Sequence, residues 1–168
     1  DAAFKELVLT LPSEAYVAEQ LDVVDPQRIH TARERIKLQL AHALHADWEW
    51  ADAAHHDSGA YSPDAVSSGR RALANLALSM LVLDAVARHN QIWPGKALQR
   101  FKDATNMTDR LGSLAALVNA HSELAAGALA RFHAQFKNEA LVIDKWFTLQ
   151  VTAPEHEGQV FARAKALM

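Results

Sequence analysis

The chain carries nine histidines, and these are the first residues to weigh for chemistry. His42 and His45 stand one helical turn apart, so both imidazoles reach the same side and, with Asp47 or Asp52, could share a metal ion. His55-His56-Asp57 is contiguous, which sends its side chains in divergent directions. The opposing reading of both groups is solvated polar positions on a long helix and in a loop. No third ligand is fixed by spacing, so metal binding at His42 and His45 stays open as adventitious. A His-rich metalloprotein is one functional class to test.

Other catalytic sets are incomplete. A zinc peptidase needs His-Glu-x-x-His on a helix, two ligands one turn apart with a Glu to activate the water. His156-Glu157 begins that pattern, but Val160 occupies the second ligand position. There is no Gly-x-Ser-x-Gly nucleophile turn. Ser67-Ser68-Gly69-Arg70-Arg71 lacks the Gly-rich loop and Lys of a phosphate-binding loop, and reads as a helix start with a basic exposed edge. Arg100, Lys102 and Arg110 are offset by Asp103 and Asp109. The tryptophans and Phe147 are spaced for packing, not for stacking bases. The catalytic, cofactor-binding and metal residues assigned from this sequence are therefore none.

The elements that would position these groups read as helices throughout. Ala makes up about a fifth of the chain, and β-branched residues are sparse. Leu11-Pro12-Ser13-Glu14 ends one short helix and caps the next. Asp25-Pro26 supplies an N-cap followed by proline at the first helical position. A stripe of Ile29, Ile36, Leu40, Leu44, Trp48 and Ala51 then predicts one long amphipathic helix, with Arg28, Arg35, Gln39 and His42 opposite. The segment from His56 to Pro63 is a loop, and Ser62-Pro63-Asp64 restarts a helix with Ser62 as the cap. Arg70 to Arg88 is apolar on most sides and belongs in a core. Asn90 to Gly95 reads as a turn around Trp93-Pro94-Gly95. Shorter helices are expected at 96–104, 108–121, 123–137, 139–150 and 157–167, with Thr108 and Ser122 as N-caps. Short connections make neighbours antiparallel. The expected fold class is all-α, an α-solenoid or irregular superhelix of stacked antiparallel helix pairs, with residues 1–168 in a single helical domain. No repeat period is sharp enough to name a repeat family.

Composition limits the function. The chain has 168 residues, no Cys and a formal net charge of −3. The missing Cys excludes disulfides and a Cys nucleophile. The absence of basic excess argues against nucleic acid as a partner. The longest greasy run, Leu73 to Ala87, is interrupted by Asn75, Ser79 and Asp84, so no membrane span is expected. Lack of a secretory signal and of Cys points to the cytoplasm. The chain starts with Asp1 and ends in a helix former without a stop signal, which suggests an excerpt of a longer protein.

Four strings are more distinctive than the Ala/Leu-rich helices between them. They are Phe4-Lys5-x-x-Val8-Leu9-Thr10-Leu11-Pro12-Ser13-Glu14, Asp22-Val23-Val24-Asp25-Pro26, Phe101-Lys102-Asp103-Ala104-Thr105-Asn106-Met107-Thr108-Asp109 and Leu141-Val142-Ile143-Asp144-Lys145-Trp146-Phe147-Thr148-Leu149-Gln150, the last followed by Ala153-Pro154. In this order they resemble, from Asp1 to Met168, the C-terminal helical domain of the bacterial aminopeptidase N family, the alanyl aminopeptidases among the M1 zinc metallopeptidases. That resemblance implies a larger, cytoplasmic hydrolase with a zinc-bearing catalytic domain, of which this chain is the first portion of the helical domain. The implied role is non-catalytic: covering the active site and restricting entry of peptide substrates. The implied partners are the catalytic and remaining helical domains of the same parent chain. Zinc belongs to the parent enzyme, because none of the family's zinc ligands or amine-anchoring residues has a matching position here. Asn106 to Asp109 is read as a helix-capping junction rather than a substrate contact, and Asp144-Lys145-Trp146 as a packed, paired helix face. The alternative is a free-standing α-solenoid module that binds another protein.

Overall fold

The computed structural model describes residues 1–56, 60–155 and 158–167. Among the described residues there are ten α-helices and no strand. The chain divides into two compact units, Asp1–Asp84 and Ala85–Met168.

The first unit holds α1 (Ala2–Leu9), α2 (Glu14–Ala18), α3 (Pro26–Ala43), α4 (His45–His55) and most of α5 (Ala65–Ala87). Four helix starts in this unit show side-chain capping of an orphan amide. Asp1 Oδ1 accepts from the Ala3 amide, Ser13 Oγ from Tyr16, and Asp25 Oδ1 from Arg28. Pro26 follows Asp25 in the first turn, where its missing N–H costs nothing. At the start of α5 the cap is Asp64 rather than Ser62: its Oδ1 accepts from the Ser67 amide, and Ser62 Oγ donates to its other oxygen at 2.6 Å. Those bonds, led by the Ser62 hydroxyl, hold the Asp64 carboxyl well below the usual carboxylate range.

The single long helix expected across residues 29–51 is two. It breaks at Leu44, whose φ of −104° and ψ of 25° leave the helical basin. Neither Gly nor Pro marks the place. At the break the indole N–H of Trp48 donates to the Leu40 carbonyl at 3.1 Å. That carbonyl also accepts from the Leu44 amide, so the two donors share one acceptor. Ile29, Ala41, Trp48 and Ala51 are buried, while Ile36 is 47% exposed. The buried apolar side chains of α5 include Leu73, Ala74, Ala77, Leu78, Met80, Leu81 and Val82.

The second unit contains α6 (Ile92–Asp103), α7 (Met107–Asn119), α8 (Ala125–Phe136), α9 (Ala140–Val151) and α10 (Gln159–Ala166). Each packs on the next in sequence, and α7 also touches α9. Trp93-Pro94-Gly95 is not a turn but the first turn of α6, where proline is tolerated. The core here is built from Trp93, Ala97, Phe101, Leu114, Leu117, Val118, Ala128 and Phe132. Phe132 sits between Phe101 and Phe136, with ring centroids 6.5 and 4.8 Å away.

Two helices end on a histidine in left-handed conformation. His89 and His121 both have φ of 54°. After α5, the Asn90 amide bonds back to Ala85 and His89 to Val86; after α7, Ser122 bonds to Leu117 and His121 to Val118. This is the bonding of a Schellman stop, normally marked by Gly.

Candidate functional site

His42 closes α3 and His45 opens α4, so the break at Leu44 lies between them. Both converge on one carboxylate, that of Asp84 in α5. His42 Nδ1 lies 3.3 Å from Asp84 Oδ1, and His45 Nδ1 lies 2.9 Å from Asp84 Oδ2. The Asp84 side chain is 3% exposed, whereas that of His42 is 64% exposed. His45 Nε2 also lies 3.6 Å from Glu49 one turn on. The partner is therefore neither Asp47, which is exposed, nor Asp52, which is buried on α4. Among the described residues no three His, Cys, Asp or Glu are grouped to hold a metal ion. The zinc that the family resemblance implies thus finds no ligand set among the described residues. What the cluster does is electrostatic: a buried carboxylate is costly unless charged or polar groups meet it, and two imidazoles do. The sequence signal was Asp84 itself, a carboxylate interrupting an otherwise apolar helix.

His55 ends α4, half-buried, with the ring of Trp50 edge-on at 5.6 Å. Burial, then the nearby charges of Arg70 and Lys5, lower its pKa below the ordinary value. His56 is exposed; Asp57, His156 and Glu157 lie outside the described residues. The Ser67 to Arg71 string does not present a basic exposed edge. Arg71 is 7% exposed, stacks over Tyr61 at 4.6 Å and donates to the Ser62 carbonyl at 2.6 Å. Arg70 donates to the Ala54 carbonyl. Gly69 is a point of close approach: a Cβ there would come within 2.8 Å of Ala3 Cβ and 3.0 Å of the Ala3 nitrogen, so α1 rests on α5 at this position.

Asn106, not Thr108, caps α7. Its Oδ1 accepts from the Asp109 amide at 2.9 Å, and its Nδ2 donates to Asp109 Oδ2 at 2.7 Å. Arg110 then donates to the Ala104 carbonyl and lies 5.6 Å from the ring of Phe136. Trp146 supplies the packing of its string: its indole N–H donates to the Leu129 carbonyl, and its ring meets those of His133 and Phe147 at 4.8 and 5.1 Å. Asp144 and Lys145 stay exposed beside it. A cavity of about 510 Å³ opens in this unit next to Trp146, His121, Ser122, Gln150 and Arg163. In the first unit an apolar groove of about 310 Å³ runs along α2 and α3.

Comparison with known proteins then places the chain. The domain of unknown function DUF3458_C, described as ARM repeats, matches residues 1–168. The chain belongs to this ARM-repeat family. Its fold is accordingly all-α and of the helical-superhelix class. Within curated proteins it is 34% identical over 154 residues to Aminopeptidase N of Caulobacter vibrioides. It is 30% identical over 155 residues to Aminopeptidase N of Haemophilus influenzae, and 31% identical over 154 residues to that of Escherichia coli. Each alignment covers 92% of this chain and 17% of the relative, so the chain spans about a sixth of their length. The crystal structure of Legionella pneumophila aminopeptidase A in complex with aspartic acid matches with a TM-score of 0.80 at 26% identity, over 99% of this chain and 20% of that one. The resemblance carried by the four strings is thereby shown. Among the described residues, no helix of this DUF3458_C segment is long and apolar enough to cross a membrane.

Proposed function

We propose that this segment is a non-catalytic portion of the C-terminal helical domain of a cytoplasmic, zinc-dependent M1 aminopeptidase. Its role is to cover the active site and restrict which substrates enter. The observation that carries the reading is the 34% identity to Aminopeptidase N over 92% of the chain. The geometry suits a cover. A cover works by excluded volume and needs no reactive group. The Asn106–Asp109 cap and the Trp146 indole bond fix helix ends and faces within the second unit. The zinc and the groups that activate water belong to the catalytic domain of the same polypeptide, as do the peptide substrates.

The test is made on the longer polypeptide that carries this segment. Release of the N-terminal residue is compared for a tripeptide, a decapeptide and a folded protein with a flexible N-terminus. Restricted access gives rates that fall steeply with length and vanish for the folded protein. Equal rates on all three would overturn the proposed role.

A further inference from the structure

The cavity of about 510 Å³ in the second unit has the size of a small-molecule site, about 300–1,000 Å³. Part of its lining is apolar: Val118, Leu129 and the ring of Trp146. The indole N–H of Trp146 is already bonded to the Leu129 carbonyl, so this residue offers the cavity its hydrocarbon ring.

The polar part of the lining has capacity to spare. Gln150 is 5% exposed. Its Nε2 donates to the Trp146 carbonyl at 3.0 Å, and among the described residues nothing donates to its Oε1. Ser122 is 6% exposed. Its Oγ accepts from the Leu124 amide at 3.2 Å, and among the described residues nothing accepts its hydroxyl proton. Buried polar groups are normally paired, so each of the two marks a place for a further partner. Arg163 adds a half-buried cation that takes part in no ion pair among the described residues. No carboxylate is found among the described residues that line the cavity. The 12-residue helix α8 begins at the same wall with Ala125 and Ala126, and no side chain caps its start. A helix start of that kind favours an anion.

We propose that this cavity binds a small apolar carboxylic acid with a hydrogen-bond donor beside the carboxylate, a 2-hydroxy or 2-amino acid with an aromatic or branched side chain. Arg163, the Ser122 hydroxyl and the start of α8 take the carboxylate. Gln150 Oε1 accepts from the hydroxyl or amino group. The ligand's side chain lies against Val118, Leu129 and Trp146. The site goes beyond the aminopeptidase reading and does not depend on it.

The experiment is amide hydrogen exchange on the intact longer polypeptide, with L-3-phenyllactate and L-phenylalanine as probes. Exchange read segment by segment separates this cavity from any other site on the polypeptide. At a probe concentration about ten times its dissociation constant, exchange at residues 122–130 and 146–151 slows about tenfold, while α3 and α4 are unchanged. Arg163→Ala weakens binding by roughly tenfold, the usual worth of a charge-assisted bond. Trimmed ligands test the same contacts on the wild type and serve if Arg163→Ala does not fold. Relative to the better probe, 3-phenylpropionate, which lacks the donor, binds about fivefold more weakly, and 2-phenylethanol, which lacks the carboxylate, roughly tenfold more weakly. Protection by either probe supports the site, and the better probe names the donor. Unchanged exchange of both segments with both probes would overturn the proposal. So would equal affinity for the better probe and 2-phenylethanol, which denotes an apolar hole filled without recognition of the carboxylate.

Discussion

In α7, Leu114, Leu117 and Val118 are exposed by 0%, 0% and 2%; in α1, Phe4, Leu7 and Val8, at the same spacing, are exposed by 65%, 70% and 64%. The pattern is one and the outcome is opposite. Helix α7 finds α6, α8 and α9 around it, whereas no residue of α1 is buried. Hydrophobic periodicity states that a face will be covered. It does not state whether the cover lies within the same 168 residues. The difference is energetic, and substitutions can measure it.

The largest contrast is expected between matched leucines. Leu117→Ala should lower the unfolding free energy by about 2–5 kcal/mol, since it opens a cavity in a closed core. Leu7→Ala should change it by less than about 0.5 kcal/mol in the 168-residue chain. Urea midpoints of the two variants decide this, and equal losses would erase the distinction between the regions. Next come the carboxylates. Asp84→Ala leaves two imidazoles without the buried group they face and should cost about 1–3 kcal/mol. Exposed Asp47→Ala should fall within about 0.5 kcal/mol of wild type. Caps sharpen the comparison further. Asn106→Ala, at the start of α7, should cost about 1 kcal/mol, the usual loss on removing a cap. Asp1→Ala makes the same deletion on α1 and should leave the global midpoint unmoved, because no residue of α1 is buried.

Two smaller effects follow. His89→Gly relieves a left-handed residue at the end of α5 and should raise stability by about 0.5–1 kcal/mol, read as a higher thermal midpoint. His55 should make stability fall on acidification. Its pKa is lowered in the folded chain from an ordinary 6.5, so the unfolded chain takes up the proton first. The loss begins as pH drops through that value and is complete below the folded pKa. His55→Gln should flatten the slope of the urea midpoint between pH 7.5 and 5.

Much of the helical architecture was legible because its starts are marked by side-chain oxygens. Ser13 and Asp25 announce α2 and α3, and Pro26 fits where an amide is not needed. Where two oxygens compete, the sequence misplaces the cap by two residues: Asp64 takes the role expected of Ser62, and Asn106 that of Thr108. Breaks and stops made by long-range or unusual means were not legible. At the Leu44 break an indole reaches back eight residues to the Leu40 carbonyl. The ends at His89 and His121 use a residue that tolerates the left-handed basin rather than Gly. The candidate site was half legible. The pairing of His42 with His45 came from their spacing, but their common partner lies 42 residues from His42 on another helix. Only the oddity of Asp84 in an apolar run pointed to it. The family itself was legible from the four strings, because a sequence of capping and junction residues is far less generic than Ala-rich helix surface.

On the proposed function, these helices are part of an aminopeptidase and do none of its chemistry. The most direct measurement is turnover of an alanyl arylamide, with zinc content determined on the same samples, for the purified 168-residue chain and for the longer polypeptide. The expected result is no turnover and no stoichiometric zinc in the chain alone, with both present in the longer polypeptide. Turnover by the chain alone, or a longer polypeptide inert toward every N-terminal residue, would contradict it.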